Sequence, residues 1–362
     1  MNSRMSCTPS LKSVFLFITN QCNLSCSFCA IPKDTPSFAE ELSQRKVRQI
    51  LAEARELGTD YITITGGEPF LRSDLGEIAQ FAISKGIRVA IATNGTLLRS
   101  TTLQWAKSTG DGMLFIGVSI DGSCAETHDR LRGKKGCFDE AIQGIEAARE
   151  SNIPVVIQTV LQKINLDQVY DISRMAASFQ AEHRVIPEIM PKGRGNSQRD
   201  KNLTIQQILT VSDGLYELRK ASLIDTFMNL PPALLPIDMA SKMSMSCHWG
   251  VRFCGVMPNG DVAMCHGCDT CDMRVSSVFT AGNVHGTTLR EIWVGSSTFA
   301  ALRAFDPDSL MGVCGRCSLR SYCRGFCRVR AFLEYGALEG PEVLCQSAYD
   351  AGLFPEYLLS DE

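Results

Sequence analysis

The run Val14-Phe15-Leu16-Phe17-Ile18-Thr19-Asn20-Gln21-Cys22-Asn23-Leu24-Ser25-Cys26-Ser27-Phe28-Cys29 decides how this chain is read. Its first six residues are dominated by β-branched and aromatic types and read as a buried strand. Three cysteines at C-x3-C-x2-C spacing follow the strand's C-terminal end. Thiolates this close in one loop can converge on one face of an iron–sulfur cubane. Three ligands leave the fourth iron open to another molecule. A zinc site, or spacing by chance, is the alternative that the cysteines alone leave open.

Outward from this run, strand-like stretches recur at Tyr61–Thr65, Arg88–Thr93, Leu114–Ile120, Val155–Leu161 and Arg184–Met190. Helix-period stretches lie between them, at Val47–Leu57, Leu75–Lys85, Leu98–Lys107, Phe138–Ser151 and Leu166–Phe179. Repeated strand–helix units with right-handed crossovers build a parallel sheet covered by helices. Six such units fit an open doubly wound sheet or a partial barrel, and either carries its functional groups beyond the strands' C-terminal ends. Residues 196–246 read as a connecting helical segment, with a helix over Ile205–Leu223 and breaks at Pro231, Pro232 and Pro236. After Cys247 the periodicity fades and cysteines crowd, as in a segment that folds around metal.

Composition narrows the function. The chain has 362 residues, enough for two domains at about 150 residues each. Its 36 basic and 39 acidic side chains give a net charge of -3, which offers no global attraction to nucleic acid or an anionic membrane. No stretch is apolar enough to span a bilayer, and the N-terminus lacks the pattern of a secretion signal. The expected compartment is therefore the reducing cytoplasm, where clustered cysteines more often bind metal than pair. Sixteen cysteines against five histidines are read as ligands first.

The cysteine loop, with Phe28 just before its last cysteine, resembles the signature of the radical S-adenosylmethionine (SAM) superfamily. The resemblance implies that Cys22, Cys26 and Cys29 hold a 4Fe–4S cluster whose open iron is chelated by SAM. One-electron reduction then yields a 5′-deoxyadenosyl radical that abstracts a substrate hydrogen. It also implies a partial (β/α)6 TIM-like barrel over residues 1–195. Gly66-Gly67-Glu68-Pro69 after the second strand resembles the family's loop for the SAM amino group, with Glu68 facing the ammonium. Asn94 after the third strand, and Ser119 and Asp121 after the fourth, match polar residues that contact the ribose and methionyl part. Arg132 matches the arginine on the SAM carboxylate.

The second half carries Cys247, Gly260-x4-Cys265, Cys314-x2-Cys317-x5-Cys323-x3-Cys327 and Cys345. This is similar to the SPASM extension, expected over residues 247–362, whose members carry auxiliary clusters. The resemblance assigns Cys247, Cys254, Cys265 and Cys327 to a first auxiliary 4Fe–4S cluster, and Cys314, Cys317, Cys323 and Cys345 to a second. Three clusters are then expected. Cys7, Cys124, Cys137, Cys268 and Cys271 are left over; Cys268 and Cys271 are read as bystanders, with ligation of the first auxiliary cluster in competition with Cys254 as the alternative. His266 stands where a related branch has an aspartate, so it is read as a general base or as a donor to cluster sulfide.

The same resemblance implies an oxidoreductase acting on a peptide or protein in post-translational modification, as a peptide maturase forming a cross-link or oxidising a residue. A small molecule or a tetrapyrrole side chain is the alternative substrate, and a non-catalytic iron–sulfur or zinc scaffold the less favoured one. An external electron donor of flavodoxin or ferredoxin type is expected, with a separate leader-peptide-binding protein where the substrate is a peptide. Neither nucleic acid nor membrane is expected as a partner.

Overall fold

The computed structural model describes residues 9–31, 41–110, 112–222, 224–242, 247–268 and 273–360. Cys7 and Cys271 lie outside the described residues. Strand β1 (Ser13–Phe17) pairs in parallel with β2 (Tyr61–Thr65), Val14 opposite Ile62. Strands β3 (Arg88–Thr93), β4 (Leu114–Ser119), β5 (Val155–Val160), β6 (Glu182–Ile186) and β7 (Thr226–Met228) follow in order, all parallel. On the other side of β1, β8 (Phe253–Val256) also runs parallel, with Cys254 opposite Val14. Antiparallel β9 (Asp261–Ala263) and β10 (Thr280–Asn283) complete a ten-stranded sheet.

Alternation along the strands sorts the two faces. Val14, Leu16, Ile62, Ile64, Val89 and Ile91 are buried under the helices, each contributing about 1.5–3 kcal/mol by leaving water. Those helices include α1 (Gln44–Glu56), α2 (Leu75–Ser84), α3 (Ala125–Arg132), α4 (Cys137–Glu150), α5 (Val169–Ser178) and α6 (Ile205–Ser222). On α1, Val47, Ile50, Leu51 and Ala54 form the buried stripe, and Ser43 caps the start by accepting from the Lys46 N–H at 3.3 Å. The other sheet face is concave. Residues from β1 through β6, among them Phe15, Thr63, Ala90, Phe115, Gln158 and Arg184, line one interior cavity of about 520 Å3. This curvature is the expected partial barrel.

Three expectations shift. Strand β6 begins at Glu182 and stops at Ile186 rather than reaching Met190, because Pro187 has no N–H to continue the ladder. The stretch Leu98–Lys107 forms only a 3-10 turn at Gln104–Ser108. Thr102 Oγ1 accepts from the Arg99 N–H at 2.9 Å and donates to the Leu97 carbonyl at 3.1 Å, which competes with helical pairing. Residues 196–246 supply a strand as well as a helix, since β7 extends the sheet beyond β6.

Past β10 the described helices are short, the longest being Arg328–Tyr335 and Val343–Asp350 at 8 residues each. Helices of that length are unstable alone and depend on what they pack around. Among the described residues, no helix is long and apolar enough to cross a membrane.

Candidate active site

The cysteine loop leaves β1 and is gripped from three sides. Gly67 N–H donates to the Thr19 carbonyl at 2.8 Å and Glu68 N–H to the Gln21 carbonyl at 2.7 Å. A Cβ on Gly67 would stand 2.1 Å from that Gln21 oxygen, so glycine is required by the neighbouring chain itself. On the second side, Ser25 N–H donates to Arg132 O and Ser27 N–H to Leu131 O, at the end of α3. On the third, Arg194 and Gly195 N–H groups both donate to Cys29 O, at 2.9 and 3.2 Å. Gly193 has φ +55°, and a Cβ there would meet Ala30 O at 2.1 Å.

Inside this grip lies a cavity of about 440 Å3, a volume usual for a cofactor site. Cys22, Cys26, Cys29, Gly66, Gly67, Asn94, Ser119 and Arg132 all line it. Cys22 is exposed where it lines this cavity; partial burial and the neighbouring Cys26, Glu68 and Cys29 hold its thiol above the usual range. Burial likewise raises Cys26, opposed by Arg132, whose Nη1 donates to Cys26 Sγ at 3.8 Å. Asn20 Nδ2 and Arg132 Nε are buried without partners. Three convergent thiols beside an unsatisfied amide and guanidinium suit a three-thiolate cluster and an amino-acid ligand carrying a carboxylate.

Three residues expected to contact SAM are held by the protein itself. Glu68 does not line the cavity. Its carboxylate accepts from Thr93 Oγ1 (2.7 Å), Asn94 N–H (2.8 Å) and Phe70 N–H (3.1 Å), and burial raises its pKa. Pro69 opens the short turn behind it. The Asn94 side chain donates to Asn23 Oδ1 at 2.8 Å and accepts from Thr96, so it holds the cysteine loop. Asp121 is fully buried and pairs with Arg132 at 2.6 Å. Burial opposes the Arg132 charge, but Asp121 and Cys26 hold the guanidinium protonated above its ordinary range. Phe28 lies 5.4 Å from the same guanidinium. Asn20, Thr65, Gln158 and Arg194 also line the cavity. Of these, only Gln158 left a signal in the sequence, as a polar residue within the apolar run of β5.

The C-terminal thiols form two sets. Burial pushes Cys247 up, and the nearby Cys265 and Cys327 thiolates push it further; Cys327, at about 12, feels Cys265 in turn. Cys314, Cys323 and Cys345 are likewise raised by burial and by one another, with Cys317 beside them. Among the described residues, no group of three or more such side chains closes tightly around a single metal ion. A cubane places its own bulk between its thiolates, so its ligands stand farther apart than those of one ion. Cys254 is fully buried on β8, with Arg303 near it. Cys137 is buried against Asp129 Oδ1 at 3.3 Å, and Cys124 is exposed. The His266 ring lies against Phe15, their centroids 4.3 Å apart. Enclosure by protein, helped by the charge of Lys192, lowers its pKa to about 4.

The description "Radical SAM superfamily" matches residues 16–176, and "Iron-sulfur cluster-binding domain" (SPASM) matches residues 247–318. An AdoMet-dependent heme synthase of Methanosarcina barkeri is 31% identical over 345 residues, covering 91% of this chain and 94% of that protein. The chain belongs to the radical SAM superfamily. Within it, mycofactocin maturase MftC of Mycolicibacterium smegmatis is 30% identical over 343 residues, 92% of this chain and 82% of the relative. Streptococcus suis SuiB bound to S-adenosylmethionine shares the fold at a TM-score of 0.75 and 17% identity, over 93% of this chain and 78% of that one. This radical SAM/SPASM chain is thus an enzyme that binds SAM and iron–sulfur clusters.

Proposed function

We propose that this radical SAM enzyme oxidises an anionic substrate held in the concave interior of its sheet, with a tetrapyrrole acid side chain as the leading substrate. When bound to Cys22, Cys26 and Cys29, a cluster supplies the electron that cleaves SAM into methionine and the hydrogen-abstracting 5′-deoxyadenosyl radical. Arg132, fixed by Asp121, faces the SAM carboxylate, and the backbone of Gly66 and Gly67 faces its amino group. Cys247, Cys265, Cys327 and the Cys314/Cys317/Cys323/Cys345 set hold auxiliary clusters, whose all-thiolate ligation suits electron transfer away from the oxidised substrate.

The observation that carries the substrate reading is Arg88 on the interior cavity, with the aromatic rings of Phe15, Tyr61 and Phe115 beside it, while the neighbouring Arg184 is already paired with Glu182 at 2.6 Å. Ala92 and Gln158 line both this cavity and the SAM cavity, so the two adjoin. Arg88 and Ala92 are four residues apart on β3, about 13 Å along a strand. A substrate gripped at Arg88 therefore needs a carboxylate roughly that far from its reacting C–H bond. A porphyrin with acid side chains has that span and an aromatic face. The length match to the heme synthase supports this reading. The identity to the mycofactocin maturase favours a second, in which the acid belongs to a peptide that a separate leader-binding protein delivers.

The test is anaerobic reconstitution with dithionite, SAM and either a propionate-bearing iron porphyrin or a peptide encoded beside the gene. Mass spectrometry should find a porphyrin product lighter by two hydrogens, or by carbon dioxide together with two hydrogens, one hydrogen atom going to the 5′-deoxyadenosyl radical and the second electron to an auxiliary cluster. Replacing Arg88 with Ala should raise its KM at least tenfold, with SAM cleavage in the absence of substrate unchanged. Modification of the peptide alone would select the second reading.

A further inference from the structure

We propose that Cys268, and not Cys254, supplies the fourth thiolate of the first auxiliary cluster, completing the set Cys247, Cys265, Cys268 and Cys327. The inference rests on the reading that the other three hold a cluster.

Sheet geometry removes Cys254. On β8 the Phe253 ring meets the Phe15 ring at 5.7 Å, and Phe15 lines the concave interior. A Cβ on Gly255 would point at the Cys265 carbonyl, 2.8 Å away. Phe253 and Gly255 therefore share the face turned toward Cys265. Successive side chains on a strand point to opposite faces, so Cys254 points away, with Val14 of β1. There it is wholly buried beside Arg303, whose guanidinium lies 4.3 Å from the Trp293 ring centroid. Bringing Cys254 to Cys265 would require a one-residue slip of β8, which would turn every side chain of that strand over.

Cys268 lies on the same side as Cys265. It is fully buried, and its Sγ lies 3.6 Å from Cys265 Sγ. A tight turn sets this spacing, closed by Cys268 N–H donating to Cys265 O at 3.2 Å. The turn is itself anchored: Lys192, only 2% exposed, donates from Nζ to Gly267 O at 2.9 Å.

The experiment uses the full-length chain with Cys22, Cys26 and Cys29 replaced by Ala, so that only auxiliary iron is counted after anaerobic reconstitution. This parent should hold about eight irons; about four or fewer would bring down the underlying two-cluster reading instead. In this background C254A should keep all the iron and an unchanged electron paramagnetic resonance spectrum after reduction. C268A should lose about four irons. C268S covers a folding failure, since an oxygen ligand at one iron alters the spectrum of a cluster that survives. Loss of a cluster in C254A, or an unchanged C268S spectrum with full iron, overturns the proposal.

Discussion

Arg132 carries a charge that burial opposes, and Asp121 keeps it there. The pair stands 2.6 Å apart with both side chains nearly sealed from water, so the guanidinium cannot swing away from the cavity without leaving a buried carboxylate unpaired. Asp121 is thus a positioning residue, reached from sequence as a site residue but acting through Arg132. Glu68 shows the same kind of shift. Its three intramolecular donors make it the brace between β2 and β3, and the cavity wall there is left to Gly66 and Gly67. His266 sits against Phe15 of β1. His266→Gln should leave iron content and substrate-free formation of 5′-deoxyadenosine unchanged while slowing substrate oxidation about 100-fold. Equal product rates with intact clusters would remove the base role.

At the scale of elements, the grip on the cysteine loop depends on glycines facing backbone. Gly193→Ala combines a left-handed φ with a Cβ 2.1 Å from Ala30 O. It should destabilise the chain by about 1–3 kcal/mol and reduce iron retention at the Cys29 side, measured by denaturation and by iron assay. Strand β6 and helix α5 are joined by His183, whose ring lies 2.8 Å from Ser173 Oγ and 2.9 Å from Thr159 Oγ1. Burial lowers its pKa from 6.5 to about 3. Because the folded-state value is depressed, the unfolded chain takes up the proton first as pH falls. The contribution is complete above about pH 6.5 and is lost progressively toward pH 3. Stability should fall by up to about 1.4 kcal/mol per pH unit below 6 from this group, and His183→Gln should remove that slope in denaturant titrations.

The molecule as a whole is one sheet that carries thiols at both ends of its sequence. Strand β8 adds to β1, so the cluster-binding extension is built onto the edge of the strand that feeds the SAM loop. Reconstituted protein should hold about twelve irons. Cys29→Ala should abolish 5′-deoxyadenosine formation while keeping about eight of those irons, as an iron assay and chromatography would show. Loss of all iron in that variant would mean that the auxiliary clusters do not assemble independently.

The sequence by itself determined the chemistry of the SAM site, because C-x3-C-x2-C, the GGEP turn and Arg132 are local patterns that each follow a strand. It also determined most of β1–β6 and their helices, whose periodicity is a property of short segments. Tertiary structure decided what depends on which face a side chain takes. Strand β7 has only three residues and no readable period. Lys192 and Arg194 lie in a polar run that gave no sign of one being buried and the other lining a cavity. Cys254 and Cys268 are both plausible ligands by spacing; the pleat of β8 turns one away, and the turn after β9 brings the other against Cys265. Sequence spacing fixes which thiols are available, but strand register and backbone approach fix which of them meet.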